Sequence, residues 1–218
     1  MINILLPVIA IFSIGIIFKT VVSNTNLNNI KTFKKVMEEE QRANFSRFKE
    51  IPQDLIITAS PTFLNEIEFE KYDNLEDYTI NTLIKYKNLL LIKSNRHMMR
   101  LNPLLANKEL KKQFGIANLD NIIKGEENYY DYVHTLNTFA ESLIKHNQYE
   151  NAKKVLSHAI YDIDSNIIKS YSLLISLYKS IGEEHKIKEF EEHLNKIETL
   201  QNDIEFKGKL LELVKSFK

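Results

Sequence analysis

The segment from Leu136 to Ala159 recurs at a fixed offset of 35 residues, and that repeat constrains the fold more than any other feature of the chain. Leu136 is matched by Tyr171, Phe139 by Leu174, Ala140 by Ile175 and Leu143 by Tyr178, with the three- and four-residue spacings of one helix face. After a break holding Asn147 in one copy and Gly182 in the other, Ala152 is matched by Ile187, Val155 by Phe190 and Ala159 by Leu194. Each unit therefore reads as a helix, a short turn and a second helix. Such a unit cannot bury its own apolar stripe, so neighbouring units must stack. Two units are fewer than the roughly three needed for stability, so flanking helices are expected to cap the stack. These run from Pro103 to Lys124 and from Asp203 to Phe217, the latter with an inward stripe of Phe206, Leu210, Leu213, Val214 and Phe217. Composition agrees: 5 Gly and 4 Pro in 218 residues leave few backbone punctuators, which favours long helices over a turn-rich β sandwich. The predicted fold class is all-α.

The pattern Leu136-x2-Phe139-Ala140-x2-Leu143, followed by Asn147-Gln148-Tyr149 and Ala152-x3-Leu156, resembles the tetratricopeptide repeat, as does Tyr171-x2-Leu174-Ile175-x2-Tyr178 followed by Gly182. The second copy departs from the pattern at Ile175 and Ile187, where small residues are usual, at Glu191 in an apolar slot, and in lacking a terminal proline. The resemblance covers about 70 residues and implies α-hairpins whose first helices line a concave face. Non-core positions on that face are His134, Asn137, Glu141 and Lys145 in the first unit and Lys169, Ser172, Ser176 and Lys179 in the second. Lys179 stands one residue short of the strict offset, which falls on Ser180. Lysines with an asparagine and serines suit an extended peptide bearing acidic side chains or a C-terminal carboxylate. The implied function is protein–protein interaction, as an adaptor or scaffold without catalysis. Arg42-Ala43-Asn44-Phe45-Ser46-Arg47 and Gln113-Phe114-Gly115-Ile116-Ala117-Asn118-Leu119 further resemble a family of membrane-anchored bacterial repeat proteins, a resemblance that brings no activity with it.

Residues 2–18 contain no charged side chain, and beyond Lys19 and Thr20 the apolar run continues through Val21 and Val22. About 21 residues at 1.5 Å each reach roughly 31 Å, the thickness of a bilayer's hydrocarbon core, so residues 1–22 are expected to form a single transmembrane anchor. A cleaved signal peptide would call for a basic stretch before the run, and none is present. Lys19, Lys31, Lys34 and Lys35 follow the run, so the positive-inside rule places the C-terminal domain in the cytoplasm at the cell membrane. The alternative is a domain exported and anchored outside the cell. Residues 23–52 read as a polar tether and a juxtamembrane helix with Ile30, Phe33, Met37, Asn44, Phe45 and Phe48 near one face and a gap at Glu40 and Gln41. Residues 53–127 form a helical region with short extended segments at Leu55–Ile57 and Phe63–Phe69, and residues 128–218 form the repeats with their C-terminal cap. A self-associating structural protein, dimerising through the helix from Ile30 to Phe48, is the second functional class.

Chemistry finds little footing. No two glycines of the chain beyond residue 22 lie closer than ten positions, so phosphate-cradling loops are absent and no nucleotide cofactor is expected. There is no Cys, which removes thiol nucleophiles and Cys-bearing zinc sites. His185, Glu189 and His193 share a helix face but have no further ligand in view, so no metal is expected, and His158 and His193 read as outer-surface positions of the second helices. The total charge is zero, 29 basic against 29 acidic side chains, with six acids clustered in residues 66–77 and eight bases in residues 85–112. The basic block either faces lipid headgroups or is neutralised by acidic neighbours; without interleaved aromatics it does not suit nucleic acid.

Overall fold

The computed structural model describes residues 29–67, 77–101, 105–196 and 204–217, and these are mostly helical. The expected anchor lies outside the described residues; among those described, no helix is long and apolar enough to cross a membrane. The chain divides into two compact units, one of residues up to Glu50 with Leu105–Leu119, the other of Ile51–Leu104 with Asp120–Lys218.

The smaller unit contains helix α1 (residues 29–44), helix α4 (Asn107–Phe114) and a 3-10 turn at Ile116–Asn118. Lys108 Nζ donates to Glu39 Oε2 at 2.8 Å, Lys111 donates to Glu40, and Ala43, Leu110 and Phe114 are buried. Gly115 ends α4 at φ +85°, where a Cβ would stand 2.7 Å from the Arg47 carbonyl oxygen, so the close approach of the two chain segments needs glycine. Asn118 secures the same junction by donating to the carbonyls of Lys49 (2.8 Å) and Phe114 (2.9 Å). The start of the helix expected from Pro103 lies outside the described residues, and α4 begins at Asn107.

The larger unit opens with strand β1 (Ile56–Ile57), paired antiparallel with β2 (Met98–Met99) in the register Ile56 to Met99 and Ile57 to Met98. The second expected extended segment is instead the short helix α2 (Thr62–Asn65), which buries Leu64. Helix α3 (Asp77–Ser94) buries Leu83 and Leu90, while Ile84 is exposed. Helix α5 runs unbroken from Leu119 to Lys145, so the boundary expected between residues 127 and 128 falls inside one 27-residue helix. Helices α6 (Tyr149–Ser157), α7 (Ile168–Ser180), α8 (Glu184–Lys196) and α9 (Ile204–Ser216) follow, and α6 closes with a π turn at His158–Asp162.

The 35-residue offset is written into the backbone. Asn147 and Gly182 both adopt the left-handed conformation, at φ 60° and 76°. The next N–H, that of Gln148 or Glu183, reaches back to the carbonyl of Leu143 or Tyr178, each at 2.8 Å. The left-handed residue itself bonds to Ile144 at 3.0 Å or to Lys179 at 3.3 Å. This pair of bonds is the Schellman closure, which satisfies the last carbonyls of a helix and reverses the chain. All seven matched pairs of apolar positions are buried, Tyr178 at 8% being the most exposed. Tyr171 is the hub, with its ring 5.8 Å from that of Phe190 on α8 and 5.7 Å, edge-on, from that of Phe206 on α9. Phe206, Leu210 and Val214 are buried, so the C-terminal helix covers the end of the repeat pair.

The connection from the π turn to α7 is held by polar contacts. Arg100 donates to the Asp164 carboxylate and, at 2.9 Å, to its carbonyl; the Asn166 N–H donates to Tyr129 Oη at 3.1 Å; Tyr171 Oη donates to the Ser165 carbonyl at 2.7 Å. Burial raises the pKa of both tyrosines above the ordinary phenol value, which keeps them protonated.

Candidate functional site

The first helices of the two hairpins, the C-terminal half of α5 and all of α7, carry the eight positions expected to meet a partner. His134, Lys145, Lys169 and Ser176 are exposed, and Glu141 and Ser172 are half-buried. Lys169 Nζ lies 2.9 Å from Glu141, an ion pair that ties α7 to α5 and brings two of the eight together. With side-chain exposures of 45% and 42% the pair is well hydrated and contributes at most about 1 kcal/mol. Lys145 makes no ion pair among the described residues.

Two of the eight depart from the expectation. Asn137 is 1% exposed and belongs to the interior, because α5 is covered on more than one side: Thr135, Leu136 and Asn137 are buried in succession. Its amide oxygen finds no hydrogen-bond partner among the described residues, which costs roughly 1–3 kcal/mol for a buried acceptor. Lys179 is exposed but turned toward the C-terminal helix, donating to the Phe217 carbonyl at 3.2 Å with its ammonium 5.9 Å from the centre of the Phe217 ring. It seals α9 against α7.

Lys153, at the other side of the first turn, joins the two hairpins. Its ammonium lies 2.7 Å from Glu150 and 2.9 Å from Glu183, the residue next to the second left-handed turn. Burial opposes its charge, but the two carboxylate hydrogen bonds outweigh it and the Lys153 pKa is raised. The same hydrogen bond lowers the Glu183 pKa.

His158 corrects the outer-surface reading. It is 3% exposed, stacked on the Phe63 ring at 3.9 Å, with Nε2 3.2 Å from Tyr132 Oη and Nδ1 2.8 Å from Asp162. Burial lowers its pKa against the opposing pull of Asp162. The arrangement fits a neutral ring that donates from Nδ1 to the carboxylate and accepts from the tyrosine at Nε2. Sequence spacing missed it because the ring is covered by Phe63 from α2 and held by Tyr132 from α5, contacts from distant parts of the chain that repeat spacing does not show. The side chain of His193 lies outside the described residues; among those described, no group of three or more His and acidic side chains is placed to hold a metal.

The basic block of residues 85–112 is largely engaged. Lys93 and Arg96 share Asp131 at 2.7 and 3.1 Å, Arg100 pairs with Asp164, and Lys108 and Lys111 pair with Glu39 and Glu40. Of the acids at residues 66–77, those at 68–76 lie outside the described residues. Asp131 is the residue that sequence reading overlooked; it sits 38 positions from Lys93, with no local signal linking the two. No protein-family model, curated protein or solved structure matches the chain.

Proposed function

We propose that the chain is a membrane-anchored protein-interaction module in which two tetratricopeptide-type hairpins present the exposed side of α5 and α7 to a peptide segment of a partner. The carrying observation is the repeated Schellman turn at Asn147 and Gly182, with every matched apolar pair of both hairpins buried. Two equivalent hairpins side by side leave their first helices displaying equivalent positions, which is what recognition of an extended chain requires. The apolar run of residues 2–22 anchors the module, and the lysines that follow it favour a cytoplasmic C-terminal domain. The recognition positions are His134, Lys145, Lys169, Ser172 and Ser176, with Glu141 as the internal partner of Lys169. Their balance of charge favours an acidic peptide or a C-terminal carboxylate.

The test is photocrosslinking in intact membranes from a reactive residue placed at Ser176, followed by identification of the captured protein. A distinct heterologous partner is expected. Lys145→Glu should lower its capture about tenfold, as loss of one charge-assisted hydrogen bond implies, without changing the melting temperature. Undiminished capture by the folded variant would remove this face from recognition. Capture of only the same chain would favour the self-associating alternative.

A further inference from the structure

We infer that α1 and the residues following it lie in the headgroup layer of an anionic membrane, apolar side inward. The inference deepens the membrane-anchored reading and rests on it for the position of residues 2–22.

Ile30, Phe33, Val36 and Met37 on α1 are 46–65% exposed, and Phe45 and Phe48 just beyond it are 87% and 65% exposed. With Ile116 they make seven of the eleven exposed large hydrophobic side chains among the described residues, all in the smaller unit. Such a concentration on one small body marks an interaction surface, whereas single exposed apolar residues carry no such meaning. Ile30, Phe33 and Met37 follow helical spacing along one side. Glu39, turned half a revolution from Ile30, is committed to Lys108, and Ala43 beside it is buried. α4 therefore holds the second half of α1, through Glu39, Glu40 and Ala43, while the first half with Ile30, Phe33, Val36 and Met37 stays bare.

Charge and chain length select the occupant. The described part of this unit carries nine basic and five acidic side chains, a net of +4 in a chain whose total is zero. Lys31, Lys34 and Lys35 accompany the apolar residues with no acid among them until Glu38, and Glu39 and Glu40 are already paired. A second copy of α1 would bring the same lysines against these, whereas anionic headgroups attract them. Only residues 23–28 separate Val22 from the described start of α1. At no more than about 3.6 Å per residue, that tether keeps α1 within roughly 25 Å of the end of the apolar run.

The chain contains no Trp, so Phe33→Trp supplies a single reporter, and Ile92→Trp, 61% exposed in the larger unit, supplies the comparison. The full chain is reconstituted into vesicles of mixed phosphatidylcholine and phosphatidylglycerol, with plain or brominated acyl chains, and flotation of the vesicles reads the anchor independently. In brominated vesicles the residue-33 reporter should emit to the blue and lose most of its intensity, while the residue-92 reporter should not. In purely phosphatidylcholine vesicles the quenching should fall, since each lysine near an anionic surface contributes about fivefold to association. An unquenched residue-33 reporter in a chain that floats would overturn this inference and leave the anchor standing. So would equal quenching of both reporters, or a blue-shifted, unquenched signal that depends on protein concentration, which would assign the surface to a second copy. A chain that does not float would overturn both readings.

Discussion

Replacing Gly182 by alanine isolates the energetics of the repeated turn. At φ +76° the position is left-handed, and a Cβ built there meets no atom within 4 Å, so the substitution acts on the backbone alone and not on packing. A left-handed L-residue costs roughly 1–2 kcal/mol, and the stiffer unfolded chain of alanine returns about half of that. A net loss of about 1 kcal/mol should lower the melting temperature by about 2–4 °C in a chain of this size. Gly182→Asn should cost less than Gly182→Ala, because asparagine adopts this conformation more readily and already does so 35 positions earlier, at Asn147. In the first turn the order of tolerance should be the same: Asn147→Ala should lose stability, and also the hydrogen bond from Tyr149 Oη at 2.7 Å, while Asn147→Gly should lose only the latter. Thermal unfolding of the full chain followed by far-ultraviolet circular dichroism measures all four variants. Equal melting of Gly182→Ala and the parent, or alanine tolerated better than asparagine in either turn, would refute the left-handed closure and with it the equivalence of the two hairpins.

Ala152 is 0% exposed in the core, so Ala152→Asp should cost about 3–5 kcal/mol by burying an unpaired carboxylate, read as a large drop or loss of the melting transition; an unchanged transition would take Ala152 out of the core. His158 should make the fold acid-sensitive. Its folded pKa is lowered by burial below the ordinary 6.5, so the unfolded chain binds the proton more tightly, and stability present above pH 6.5 should be lost as the pH falls through the folded value. The groups facing it are Asp162 from its own turn, Tyr132 from α5 and the Phe63 ring from α2. His158→Gln should remove this part of the pH dependence above the carboxylate range, and a variant melting profile parallel to the parent's would refute the assignment.

What the sequence disclosed follows from the length scale of each signal. The matched pairs from Leu136 and Tyr171 to Ala159 and Leu194 were legible because helical burial repeats every three to four residues, and Asn147 and Gly182 because few residue types suit a helix-terminating turn. The two-residue strand Met98–Met99 was not, since two residues are too few to show alternation, and the four-residue helix at Phe63–Leu64 was equally too short to reveal a period. The burial of His158 depends on the Phe63 ring and Tyr132, which reach it from distant parts of the chain. Asn137 escaped for a similar reason: a wheel drawn for one hairpin assigns it an open side, but burial of three successive residues of α5 depends on what packs around the helix from elsewhere in the chain. Ion pairs such as Arg100 with Asp164, 64 positions apart, belong to the same class of long-range facts.

The pairing of Lys169 with Glu141 is compatible with the recognition role proposed for this lysine, and the contrast with Lys179 shows why. Both Lys169 and Glu141 keep more than two-fifths of their side-chain surface in water, so separating them costs little, and an incoming carboxylate can replace Glu141 almost isoenergetically. A partner would then gain whatever its backbone and apolar contacts add along α5 and α7. Lys179 instead holds the carbonyl and ring of Phe217, and drawing it away would loosen the helix that covers Tyr171 through Phe206. A cation whose departure exposes core is poorly suited to binding, whereas one held by a hydrated carboxylate is already prepared for exchange. On this physical ground the proposed recognition would use Lys145, Lys169 and Ser176, while Lys179 serves closure of the fold.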